Sequence, residues 1–243
     1  MTLNSTMTVR EVAISLPQST RVFEKLRIDY CCGGNQSLDD ACHKAGLNVE
    51  EVMQLLSKSA PAALTEPSAV ESRGLAKLAD YIVNKHHEFT RSELQRLTEL
   101  LTKVCSVHGA NHPELVQIQS EFQKLDADLC PHMMKEEHIL FPYIKRLESA
   151  ALGSGPAPLA PFGTVRNPIA VMMREHDAAG DILKSIRALS RDFVVPEGAC
   201  FSYRTLYGAL AELEADLHQH IHLENNILFP RAAEIENEIN SPS

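Results

Sequence analysis

Residues 132–142 read His-Met-Met-Lys-Glu-Glu-His-Ile-Leu-Phe-Pro, and residues 220–230 read His-Ile-His-Leu-Glu-Asn-Asn-Ile-Leu-Phe-Pro. Both fit His-x-x-x-Glu-x-x-Ile-Leu-Phe-Pro, at an offset of 88 residues. A His and a Glu four apart on a helix differ by about 40° in direction, so both point the same way. Two such pairs facing each other inside a helical bundle make a metal pocket of nitrogen and oxygen donors.

The doubling extends further. His87-Glu88 and His176-Asp177 precede the two motifs by 45 and 44 residues, so each half carries one His followed by a His-x-x-x-Glu. The offset of 89 between His87 and His176 selects His87 over His86. The ligand set chosen by the repeat is His87, His132, Glu136, His176, His220 and Glu224. Glu137 and His138 align with Asn225 and Asn226, and His222 aligns with Met134. His218 and His222 each point about 160° away from His220, so these residues are expected outside the pocket. His108 has no twin. On a straight helix it lies about 31 Å from His87 and about 60° off its direction, and the spacing alone leaves it open.

Imidazole and carboxylate without thiolate suit iron or manganese better than structural zinc. Six donors suit two octahedral ions sharing carboxylate bridges. The metal-free alternative is a duplicated packing motif whose polar residues line a wet face.

The elements that must position these residues are helical. Four long patterns run over about 72–107, 111–148, 167–191 and 201–236. Pro113 opens the second and Pro131 predicts a kink within it. Residues 149–164, rich in Ala, Gly and Pro, read as a crossover loop. No strand pattern stands out, so the fold class is all-α, a four-helix bundle over residues 72–243. Residues 1–58 read as a small helical domain with a glycine turn at Asp29–Asn35, and residues 59–71 as a linker.

The totals bound the partners. Of 243 residues, 44% are apolar, enough for a substantial core, and the net charge of −9 argues against nucleic acid and anionic membrane surfaces. No run reaches transmembrane length and no signal peptide is evident, so a reducing cytoplasm is expected. The six Cys form no CxxC; Cys42, Cys105, Cys130 and Cys200 read as buried small apolar residues. Cys31 and Cys32 are adjacent, and adjacent cysteines close only a strained, readily reduced disulfide. They read as redox or transfer thiols, as a docking point, or as a turn with incidental thiols.

The doubled motif with His87 and His176 resembles hemerythrin-like di-iron domains. Together with Asp29-Tyr-Cys-Cys-Gly-Gly34, Glu175-His-Asp-Ala-Ala-Gly180 and Leu223-Glu-Asn-Asn226, it is similar to the repair-of-iron-centres family over nearly the whole chain. That resemblance implies a hemerythrin-like up-down bundle, two oxo- or hydroxo-bridged non-haem iron ions, and a ligand set that adds His108. One iron would then have three His and the other two. It implies a stress-response role: repair of iron–sulfur clusters damaged by nitric oxide or peroxide, by iron donation or nitric oxide binding. Damaged iron–sulfur proteins would be the partners, and a homodimer the assembly. The other readings are an oxygen or nitric oxide carrier or sensor, and a nitric oxide reductase.

Overall fold

The computed structural model describes residues 3–58 and 74–240; the expected linker at 59–71 lies outside them. Apart from one isolated antiparallel bridge, Thr8–Ser37, the regular structure among the described residues is helical. The helices are α1 (Val9–Ser15), α2 (Ser19–Leu26), α3 (Leu38–Lys44) and α4 (Val49–Lys58). After them come α5 (Leu75–Tyr81), α6 (Glu88–His108), α7 (Glu114–Lys135), α8 (Phe141–Ala151), α9 (Arg166–Leu189), α10 (Phe201–Leu223) and α11 (Phe229–Asn240). Three wider π-turns join consecutive helices: π1 (Ile82–His87), π2 (Glu136–Leu140) and π3 (Glu224–Leu228). The chain divides into two compact units, one of residues 1–81, 143–165 and 218–243, the other of residues 82–142 and 166–217.

In the second unit, α6, α7, α9 and α10 close around one core, which identifies a four-helix bundle. Its apolar residues recur at alternating spacings of three and four: Leu94, Leu97, Leu101 and Val104 on α6, and Leu206, Leu210, Leu213 and Leu217 on α10. This is the seam of a bundle whose helices cross at a shallow angle. The seam continues into polar residues without changing step. On α9 it runs Met172, His176, Ala179, Leu183; on α7 it runs Leu125, Leu129, His132 and on to Glu136. On α10 it runs Leu213, Leu217, His220, Glu224, and before α6 it runs His87, Thr90, Leu94. The candidate ligands therefore occupy core positions of the same register as the leucines.

Within the first unit the small N-terminal helices carry their own core of Val9, Val12, Phe23, Tyr30, Leu38, Val52 and Leu56. Thr8 and Glu11 form a capping box at α1, Ser37 caps α3, and the Asn48 side chain accepts from the Glu51 amide at 3.1 Å. The turn after α2 is organised by Asp29, whose Oδ1 accepts from the amides of Cys31, Cys32 and Gly33 at 3.2, 3.0 and 3.0 Å. Gly34 is required there, because a Cβ would sit 2.9 Å from the Tyr30 carbonyl oxygen. Elsewhere in this unit Glu236, 4% exposed, accepts from the Tyr143 hydroxyl and the Val165 amide, each at 2.8 Å.

The π-turns have a local cause at two of three places. The amides of Phe141 and Phe229 reach back five residues, to the carbonyls of Glu136 and Glu224. Pro142 and Pro230 follow directly. A proline lacks the N–H and presses on the carbonyl four residues back, and a widened turn absorbs that mismatch. Pro230 so deprives the Asn226 carbonyl of its helical donor, and Arg10 from α1 supplies one, Nη2 to oxygen at 3.0 Å. No proline marks π1.

Arg10 is therefore a structural anchor for π3. Arg10→Ala is expected to lower the unfolding free energy by about 1–3 kcal/mol, the usual effect of leaving a buried acceptor unmet. Urea titration checks this; an unchanged midpoint would remove Arg10 from that role.

Candidate metal centre

Three imidazoles gather around one carboxylate in the bundle. His87 Nε2 and His132 Nε2 lie 3.4 and 3.3 Å from Glu136 Oε2, and His176 Nε2 lies 3.0 Å from His132 Nε2. One π-turn ends at His87 and the next begins at Glu136. On α10 and π3, His220 Nε2 lies 3.0 Å from Glu224 Oε1, the i,i+4 pair foreseen from the motif. None of these six residues is more than 2% exposed.

Outer carboxylates orient two of the rings. His87 Nδ1 is 2.6 Å from Glu137 Oε1, and His132 Nδ1 is 2.8 Å from Glu175 Oε2. With Nδ1 engaged by a carboxylate, Nε2 is the atom left to bind a metal. Arg91 and Lys135 pair with the same two carboxylates from the outside. Burial raises the pKa of Glu137, but hydrogen bonds from His87 and Arg91 outweigh it and hold the group below its ordinary value. At Glu175 burial again pushes up, and hydrogen bonds from Lys135 and His132 win. Glu137 and Glu175 lie outside the repeat-chosen ligand set, and the repeat could not reveal their orienting role. The signal for Glu137 is its place beside Glu136.

Within the bundle unit the donor atoms of His87, His132, Glu136 and His176 converge, and within the other unit His220 and Glu224 form a second His–Glu pair. Buried carboxylates surrounded by imidazole nitrogens, without a thiolate, form a donor set for a hard or borderline cation.

His108 is not among these residues. Helix α6 runs unbroken from Glu88 to His108, so it carries His108 about 30 Å along its axis from His87. His108 instead sits 3.1 Å from Cys200. His86 is buried and pairs with Asp216 at 3.0 Å. His138 is exposed, and His218 contacts Glu24 at 2.8 Å. His222 is fully buried: Asn226 donates to its Nδ1 at 2.9 Å and Tyr30 stands edge-on to its ring.

The cysteines divide differently from expectation. Cys42 is buried, but Cys130 and Cys200 are exposed. Cys31 and Cys32 are free thiols with sulfurs 3.9 Å apart. Cys31 donates to Asp29 Oδ1, and its pKa is pushed well up by the hydrogen bond with Cys32 and by burial. Its carbonyl receives the Asn225 side-chain amide at 3.5 Å, and the Tyr30 carbonyl receives that of Asn226 at 2.9 Å. The Cys-Cys turn is thus docked on π3, next to Glu224.

Comparison with known proteins agrees with this arrangement. Residues 78–232 match the hemerythrin HHE cation binding domain, and residues 5–60 match the ScdA_N model, described as a domain of unknown function. The iron-sulfur cluster repair protein YtfE of Yersinia pseudotuberculosis is 38% identical over 224 residues, covering 91% of this chain and 94% of that protein. The chain belongs to the iron–sulfur cluster repair family. YtfE of Pectobacterium carotovorum is 38% identical, and a probable iron-sulfur cluster repair protein of Haemophilus influenzae is 35% identical, each over 91% of this chain and 94% of its own length. In this member of the family, the HHE match contains all six candidate ligands.

Two outcomes follow for the outer carboxylates. Glu137→Gln and Glu175→Gln should each weaken iron binding about 10–100-fold with the six ligands intact, measured by chelator competition. Both groups have depressed pKa values, so the stability they contribute is complete above the ordinary carboxylate pKa of about 4.3 and is lost as pH falls through their lower folded values. Acid denaturation of the double Gln variant should show a shallower limb in that window; an identical limb would contradict the assignment.

Proposed function

We propose that the protein holds two non-haem iron ions through His87, His132, Glu136, His176, His220 and Glu224, and repairs iron–sulfur clusters damaged by nitrosative or oxidative stress. The observation that carries this is the gathering of His87, His132 and His176 around the buried carboxylate of Glu136. The repair function rests on relatives whose names state it and that align over 91% of the chain. Bound iron would supply an exchangeable, redox-active ion able to take a small ligand such as nitric oxide or dioxygen.

The chain's own residues would control that ion. Glu137 and Glu175 hold His87 and His132 with Nε2 inward, and Arg91 and Lys135 hold those carboxylates in turn. The near-zero exposure of the ligands keeps bulk water from them. Damaged iron–sulfur proteins are the partners in this reading, and a homodimer in a reducing cytoplasm is its setting. No helix among the described residues is long and apolar enough to cross a membrane.

The test adds purified iron-loaded protein to an iron–sulfur enzyme inactivated by nitric oxide. Activity should return with the native protein and not with Glu224→Ala. Equal recovery with the variant, or with free ferrous iron at the same concentration, sinks the proposal. Reversible nitric oxide binding with no recovery would favour a carrier or sensor. Multiple turnovers of nitric oxide with a reductant would favour a reductase.

A further inference from the structure

At the end of α6 remote from the six ligands, His108, His112 and Cys200 come together on the surface of the bundle unit. His108 Nε2 lies 3.1 Å from Cys200 Sγ. His112 follows in an His-x-x-x-His turn, its amide donating to the His108 carbonyl at 2.9 Å. Its Nδ1 lies 3.0 Å from Glu114 Oε1. This repeats the pattern seen at His87 and His132, in which a carboxylate takes Nδ1 and leaves Nε2 for a metal. Buried Tyr203 stands against both rings, 5.6 Å from His108 and 5.3 Å from His112 between centroids. Tyr203 lies on the same helix whose first turn follows Cys200, and Arg204 fixes that start by donating from Nε to the Ala199 carbonyl at 3.1 Å.

We propose that His108, His112 and Cys200 form a second metal site, taking a zinc-class divalent ion with water as the fourth ligand. The donor types separate this site from the first. A thiolate with two imidazoles selects zinc-class ions, whereas the buried centre offers only nitrogen and oxygen. His108 and Cys200 already lie within reach of one ion, and the His112 ring must turn toward them to complete the set. A tetrahedral ion would hold sulfur and imidazole nitrogen about 3.6 Å apart, against 3.1 Å here. Two imidazoles on such an ion have centroids about 5 Å apart, against 6.4 Å here. The first adjustment is about half an ångström and the second about 1.4 Å, side-chain movements at a surface where Cys200 is exposed and His108 and His112 are partly so. Binding releases the thiol proton and places Cys200 sulfur on the ion as thiolate. With three protein ligands and one open position, the ion would exchange rather than lock the fold.

The test uses the full-length, iron-loaded protein with reduced thiols, titrated with cobalt(II) as the probe. One equivalent should produce thiolate-to-cobalt charge-transfer absorption while the iron content stays constant. Cys200→Ser should abolish that absorption, and Glu114→Gln should weaken binding about 10–100-fold by releasing His112. Cys31→Ser/Cys32→Ser should retain it, which excludes the adjacent Cys31–Cys32 thiols as its source. Cys200 is exposed, so its variant should keep the native helical circular dichroism. Absorption that survives Cys200→Ser, that disappears in Cys31→Ser/Cys32→Ser, or that fails to appear in the native protein overturns the proposal. An affinity unchanged by His112→Ala also overturns it, because His108 and Cys200 alone would then account for binding.

Discussion

Two carboxylates with no solvent exposure, Glu136 and Glu224, set the terms for the rest of the structure. Moving one carboxylate into a protein interior costs several kcal/mol after relaxation. A domain has only about 5–15 kcal/mol of net stability, so two such groups are a large fraction of the margin. Placing Glu136 among imidazole nitrogens at 3.3 and 3.4 Å, and Glu224 against His220 at 3.0 Å, answers that cost with groups whose chemistry suits a metal ion. The outer pairs with Glu137, Arg91, Glu175 and Lys135 then keep His87 and His132 turned inward.

The bundle tolerates this because the polar residues do not interrupt its packing register. Below them, Leu94, Leu125, Leu129, Leu183, Leu213 and Leu217 fill the seam at full burial or nearly so. Each fully buried leucine contributes about 1.5–3 kcal/mol, so the apolar length of the seam offsets its polar end. The π-turns fall where that end begins, at His87, Glu136 and Glu224. Such turns are rare in helices and concentrate at functional sites. Arg10 and Asn226 show how the N-terminal helices are recruited to the same end: one satisfies a carbonyl released by Pro230, and the other holds the Tyr30 carbonyl.

Much of this was legible in the amino-acid order. The helical periodicity places four long runs, and their starts agree with Leu75, Glu114, Arg166 and Phe201 to within about three residues, the usual limit of boundary assignment. The internal offset separates His87 from His86 because duplicated halves share geometry, and only His87 stands with Glu136. The π-turns were not legible as such, although the repeated Phe-Pro after each Glu was visible. A 100° ruler assumes one residue spacing throughout, and these turns break it. His108 shows the opposite failure. The resemblance suggested a ligand, while the unbroken length of α6 had already put it about 30 Å away. Exposure of Cys130 and Cys200 also escaped composition, because burial of a cysteine depends on which helix face it occupies.

The two-iron centre proposed for Glu136, Glu224 and the four histidines is tested most directly by the Mössbauer spectrum of protein loaded with iron-57, taken with the iron count per chain. Two irons per chain, magnetically coupled through common bridging ligands, are predicted. One iron per chain, or two irons behaving as isolated uncoupled ions, would contradict it.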